Sequence, residues 1–230
     1  MKKISFIIEN NRAEIIMDDG KANAMDFDYF EEMNKALAEV ESSGSKAVIL
    51  KGRQGFFSGG LDVKLIATLA SNDIDRLAET FARTMLRVFL YPIPIIAVCT
   101  GHAIAGGAML AFACDRRYVI EGNYRIQMNE HAIGIPLPSW MLLIGKSAIP
   151  VGFQTETFLH AKAYTPKEAC DAGIFHSLID SGADIDASLN SEVNAVMSLH
   201  MNAYSITKRR LREKEVKEVL AILKDELSSK

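Results

Sequence analysis

The sequence predicts an α/β fold, on three observations. Short apolar, β-branched runs alternate along the chain with longer segments of helical period, as interleaved strands and helices do. Two of the strand-like runs, 46–51 and 93–99, each lead through a glycine pair into a helical pattern, about fifty residues apart. And 230 residues, 49% hydrophobic and 24% charged, are enough to bury one sizeable core, with no linker-like stretch dividing the chain into equal halves.

Taken in order, residues 4–8 and 13–17 alternate apolar and polar around Asn10-Asn11, which predicts a β-hairpin. A helix follows over 26–40. Residues 46–51 (KAVILK) read as a buried strand that runs through Gly52-Arg53-Gln54-Gly55 to Ser58-Gly59-Gly60-Leu61-Asp62, with helices over 62–70 and 74–90 beyond. Residues 93–99 (IPIIAVC) form the next buried strand, and Gly106-Gly107 opens a helix through Cys114. Further strands are expected near 115–120, 124–128 and 174–179. Helices are expected over 139–146, 151–160, 166–172, 185–200 and 203–226. The organisation is a core domain over 1–180 and a C-terminal helical region over 181–230.

Composition excludes several function classes. A net charge of -3 argues against a nucleic-acid binder, which carries a strong basic excess. Cys99, Cys114 and Cys170 are widely spaced among apolar neighbours and read as reduced core residues, which suits a cytoplasmic location. The N-terminus enters a strand pattern directly, so no signal peptide is expected, and the apolar runs are too short to span a membrane. No pair among His102, His131, His160, His176 and His200 has zinc-ligand spacing, so no metal site is expected. Met25, Met85, Met109, Met128 and Met141 read first as core filling and second as an adaptable acyl-pocket lining. The 208–214 run (KRRLREK) reads as a solvated helix face.

The chemistry lies in the glycine turns and in a solitary glutamate. Backbone N–H groups at a helix start lack intrahelical partners and sit at the positive end of the helix dipole, so they stabilise a developing negative oxygen. If the two turns are neighbours, the N–H groups of Leu61 and Gly107 form a two-donor oxyanion hole, and neither needs a reactive side chain. Read alone, either glycine pair is equally a tight turn. Glu130, read alone, is an exposed carboxylate at a helix start; among Ile126, Met128, Ala132, Ile133 and Ile135 it is a base whose pKa is raised by apolar surroundings.

FFSGGLD at 56–62 resembles the FSAGLD-type motif of the crotonase (enoyl-CoA hydratase/isomerase) superfamily, and 101–136 is similar to that family's signature region. The resemblance runs from Ala22-Asn23-Ala24-Met25 to about Asp180. It implies a crotonase spiral of ββα units with a C-terminal helical region, and a coenzyme A thioester whose oxygen is held by the N–H groups of Leu61 and Gly107. It also implies coenzyme A or substrate contacts at Ala22, Ala24, Gly60, Lys64, Gly106 and Leu110, with Lys208 and Arg209 as weaker phosphate candidates. No permanently bound cofactor is implied, coenzyme A being part of the substrate, and the assembly implied is a homotrimer or hexamer.

Departures from the family pattern select the chemistry. Family hydratases carry a first glutamate in a GGxxE pattern, and here Gly106-Gly107-Ala108-Met109-Leu110 puts Leu110 at that position. The second family glutamate matches Glu130, in a setting (Asn129, Gly134, Ile135, Pro138, Trp140) that resembles the single-glutamate 3-enoyl-CoA to 2-enoyl-CoA isomerases. Hydration needs water activated and carbon protonated, which two carboxylates do together; a double-bond shift needs one base that takes a proton from C2 and returns it at C4. The expected function is therefore an enoyl-CoA isomerase of fatty acid metabolism with Glu130 as base. The alternatives are a hydratase, hydrolase or lyase on the same scaffold, or a non-catalytic acyl-CoA-binding relative.

Overall fold

A computed structural model describes residues 2–228. The chain opens with the predicted hairpin, β1 (Ile4–Glu9) and β2 (Arg12–Met17), paired antiparallel. Asn10 and Asn11 make its turn with φ of 52° and 60°, values that a two-residue hairpin of the primed type requires and asparagine tolerates. Asp26 caps α1 (Phe27–Ser42) by accepting the Tyr29 N–H, and the helix buries Tyr29, Phe30, Met33, Ala36, Leu37 and Val40, a single stripe at helical spacing.

From there the chain repeats one manoeuvre. β3 (Ala47–Lys51) passes into β4 (Gly55–Ser58) and then helices α2 (Val63–Ile66) and α3 (Ser71–Phe89); β5 (Ile95–Cys99) passes into β6 (Gly101–Ile104) and then α4 (Gly106–Ala113). β7 (Arg116–Ile120) passes into β8 (Ile126–Gln127), a 3-10 turn at Glu130–Ile133, and α5 (Ser139–Ala148). The first strand of each pair joins a six-stranded sheet of order β1-β2-β3-β5-β7-β10, parallel beyond the hairpin. The second joins a four-stranded sheet of order β4-β6-β8-β9. α6 (Val151–Phe158), β9 (Ala163–Tyr164), α7 (Pro166–Asp171), β10 (Ser177–Ile179), α8 (Ile185–Met197) and α9 (Met201–Ser228) complete the chain.

Alternate residues of the six-stranded sheet face two apolar clusters. Val48, Leu50, Ile95, Ala97 and Cys99 join the main core with α1, α3, α4 and α5; Ile49, Ile96, Val98 and Tyr118 meet Leu189 and Val193 of α8 on the other face. All eight residues of α4 are buried, so the helix is apolar all round. α9 packs back on α3 and α5. Among the described residues, no helix is long and apolar enough to cross a membrane.

The structure departs from the sequence expectation in the second sheet. β4, β6 and β9 were not expected, because strands of two to four residues carry no period of their own and exist through pairing with neighbours. Of the helix expected over 62–70, only Val63–Ile66 forms, started where Asp62 accepts the N–H groups of Lys64 and Leu65.

Candidate active site

The first glycine turn is held from below by a buried asparagine. Asn23, 1% exposed, donates through Nδ2 to the carbonyls of Met17 (2.8 Å), Phe57 (3.1 Å) and Phe56 (3.2 Å), tying the loop after β2 to β4. Gly59 donates to the Ala22 carbonyl at 2.8 Å, Met25 to the Gly60 carbonyl at 2.9 Å, and Asp62 to the Met25 carbonyl at 3.0 Å. These bonds flank Leu61 on both sides and bridge it to Met25 in parallel fashion.

The second turn arrives beside the first because β6 pairs with β4. Gly60, with φ of 87°, lies so near the start of α4 that a Cβ on it would stand 2.9 Å from the Gly106 nitrogen. Gly107 is as tightly placed: a Cβ there would be 2.0 Å from the Ser58 carbonyl oxygen. Both positions therefore require glycine. Ala105, just before the helix, holds φ 50° and ψ -119°, a strained conformation for a residue with a side chain, and swings the α4 N-terminus toward the first turn.

Glu130 comes from the third unit. It begins the 3-10 turn, which Gly134 closes with φ 78° by donating to His131, while Ile135 donates to the Glu130 carbonyl at 2.9 Å. The Glu130 side chain is 6% exposed, and its Oε2 is buried without a hydrogen-bond partner, as is the Oδ1 of Asn129. Burial pushes the carboxyl pKa above the ordinary 4.5, with its own backbone N–H partly opposing. Glu130 is thus not an exposed helix-start carboxylate. Of its apolar sequence neighbours, Ile126 and Met128 are buried, while Ile133 and Ile135 line the cavity beside it and remain 58% and 48% exposed. His131 points to solvent.

These elements surround a cavity of about 940 Å³ whose walls are mainly apolar. Gly59, Leu61, Ala105, Gly106, Asn129 and Glu130 form one part of its wall. Leu77 and Phe81 of α3, with Trp140 and Met141 of α5, form another. Trp140 meets Phe81 edge-on at 4.9 Å and is 2% exposed. α9 supplies Ile222, Asp225, Glu226 and Leu227. Glu226 caps α5 by accepting the Ser139 N–H at 3.1 Å and the Ser139 hydroxyl. No sequence signal pointed to these α9 residues, because their place depends on how the last helix folds back.

The structure thus brings Leu61, Gly60, Gly106 and Glu130 together, and the cavity wall includes all of them except Gly60. Gly107 sits one residue into α4, packed on Ser58, rather than in the wall. Leu110 is fully buried in the core and also outside the wall. Ala22 abuts Gly59 through its carbonyl, and the Ala24 N–H is taken by Asp19 Oδ2 at 3.1 Å. Lys64 is exposed on α2. Lys208, read above as lying on a solvated face or meeting phosphates, is instead 5% exposed and paired with Asp115 at 2.7 Å. Of the five methionines singled out, Met141 lines the cavity and the others fill the core. No cluster of metal-ligating side chains exists among the described residues.

Stacked ββα units closed by a C-terminal helical region define a crotonase-type fold, with paired glycine turns facing a cavity that holds a buried carboxylate. The chain belongs to the enoyl-CoA hydratase/isomerase family, whose sequence pattern matches residues 8–225. It is 30% identical over 202 residues to a probable enoyl-CoA hydratase of Bacillus subtilis, covering 85% of this chain and 75% of that protein. The structure of a Mycobacterium tuberculosis protein named an enoyl-CoA isomerase, and in a second structure a probable enoyl-CoA hydratase, matches it with a TM-score of 0.90 and 27% identity, over 100% of this chain and 99% of that one. The human mitochondrial delta3-delta2-enoyl-CoA isomerase shares the fold with a TM-score of 0.90 at 20% identity, over 98% and 89% of the two chains. Hydratases and isomerases both stand among the relatives, so the reaction must be argued from the site.

Proposed function

We propose that this protein is an acyl-CoA enzyme that shifts a double bond from 3-enoyl-CoA to 2-enoyl-CoA. The observation that carries the reading is one buried carboxylate, Glu130, whose Oε2 has no partner, beside two converging glycine turns, with hydrocarbon where a hydratase would carry its first glutamate. In this mechanism the N–H groups of Leu61 and Gly107 bind the thioester oxygen and hold the charge of the enolate formed when Glu130 removes the C2 proton. Such donors are worth about 3–4 kcal/mol each to the transition state. Glu130, now neutral, returns the proton at C4. Its raised pKa makes the carboxylate a stronger base and keeps the acid form within reach for the second half of the reaction. The apolar walls suit an acyl chain, and Ala22, Ala24 and Lys64 are the proposed contacts for the coenzyme A portion.

A second reading, hydration, is favoured by the two further carboxylates that α9 brings to the wall, Asp225 and Glu226. The two readings separate in one experiment. Purified protein is assayed for conversion of 3-enoyl-CoA to the conjugated thioester and for hydration of 2-enoyl-CoA. Isomerisation faster than hydration by about 100-fold or more, abolished in Glu130→Gln while thioester binding stays within a few-fold, is the expected result. Hydration as fast as isomerisation establishes the second reading. Full turnover by Glu130→Gln removes the first.

A further inference from the structure

We propose that Ser58 is a positioning residue that sets the spacing between the two N–H donors, an inference that rests on the assignment of Leu61 and Gly107 to the thioester oxygen. Ser58 is 0% exposed and makes contact with both glycine turns. Toward the first, its hydroxyl donates to the Asn23 carbonyl at 2.7 Å and accepts the Gly60 N–H at 3.1 Å, fixing the Gly59–Gly60 peptide, the one before the peptide that carries the Leu61 N–H. Toward the second, its backbone is the surface on which α4 starts: a Cβ on Gly107 would meet the Ser58 carbonyl oxygen at 2.0 Å and the Ser58 Cβ at 3.0 Å.

Ser58 also lies where the pairing of β4 with β6 shifts register, between Phe56 and Ser58, so the ladder alone does not fix its height in the sheet. The hydroxyl supplies that constraint, passed on by Asn23, which is itself anchored at φ 51° by its bonds to Met17, Phe56 and Phe57. One side chain thus couples the loop after β2 to the first donor, while its own backbone bears the second. Two donors accelerate a reaction only when both reach the oxygen in its transition-state position, so a small error in their spacing is costly.

The test uses bound hexadienoyl-coenzyme A, whose conjugated thioester absorbs at longer wavelength when its carbonyl is polarised. Wild-type protein shifts the band to the red. Ser58→Ala is expected to reduce that shift and to lower kcat about 10- to 100-fold, with KM changed by less than about threefold. Val193→Ala, in the cluster under α8 and remote from the cavity, serves as a variant destabilised without touching the turns, and is expected to retain both the band shift and kcat. If Ser58→Ala does not fold, Ser58→Cys, with its longer bond and poorer acceptor, is measured in its place and is expected to change both readouts in the same direction.

A folded Ser58 variant with the wild-type band and kcat overturns the proposal. So does an equal loss of band shift in Val193→Ala, which would make the effect one of general stability. If the wild-type protein itself gives no red shift, the assignment of the two donors fails, and that result is distinct from a wild-type shift unaffected at Ser58.

Discussion

Glu130 is held in a state that opposes stability. Its Oε2 has lost water without gaining a donor, and burial raises its pKa above 4.5. Between that value and the raised one the folded protein binds more protons than the unfolded chain, so wild-type stability falls as pH rises through the window. Glu130→Gln removes the charge and is expected to stabilise the protein by about 1 kcal/mol at pH 8. That advantage should vanish below pH 4.5, where the native glutamate is neutral as well. Thermal midpoints of both proteins across this range check it, and a variant less stable than wild type at pH 8 contradicts the reading. The activity of the wild type should fall on its acid side at a pH above 4.5, since the base must be ionised to take the proton. The glutamate itself was legible from its motif, between Asn129 and Gly134. The source of its desolvation was legible only in part: Ile133 and Ile135 line the cavity beside it, but the rest of its apolar wall comes from distant helices.

At the level of elements, the convergence of the two turns follows from a strand pairing that sequence alone conceals. β4 and β6 hold four residues each, too few to show alternation, yet their parallel pairing brings residues 60 and 106 into contact. The order strand, glycine pair, helix was legible, and so was the apolar run that becomes α4. The intermediate strands were not, nor was the early end of α2. Close packing makes a sharp prediction here. Gly107→Ala places a methyl group within 2.0 Å of the Ser58 carbonyl oxygen, and only movement of α4 away from β4 relieves that contact. Loss of one donor geometry is expected to lower kcat by about 100-fold or more in protein whose circular dichroism remains native. A folded Gly107→Ala variant turning over at the wild-type rate would mean that the α4 N-terminus does not face the reacting oxygen.

Across the whole molecule, α9 joins the far side of the core to the cavity. Asp115, between α4 and β7, accepts from the Ile95 N–H at 2.9 Å, from Lys208 Nζ at 2.7 Å and from Arg212 at 3.1 Å. Arg212 also donates to the Phe89 carbonyl at 2.7 Å and lies 4.2 Å over the Phe89 ring. This buried cluster anchors the first half of the helix, and Ile222, Asp225, Glu226 and Leu227 near its end form cavity wall. The helix was legible from its period. Its anchor was not, because a basic run with interspersed glutamates has the same pattern whether its lysine is solvated or buried against an aspartate ninety-three residues away. Burial pushes the Lys208 pKa below the ordinary lysine value, with Asp115 opposing, so Lys208 depends on that partner for its charge. Asp115→Asn keeps the shape but leaves Lys208 and Arg212 facing a neutral amide. Removing one partner of a buried ion pair costs about 3–5 kcal/mol, so the denaturant midpoint is expected to fall accordingly. KM for the thioester is expected to rise below the unfolding temperature, as residues 222–227 lose their anchor. Glu213→Gln, whose partners Arg209 and Lys217 are exposed at 62% and 71%, should stay within about 0.5 kcal/mol of wild type. Equal denaturant midpoints for the Asp115 and Glu213 variants would show that α9 is held by its apolar face alone.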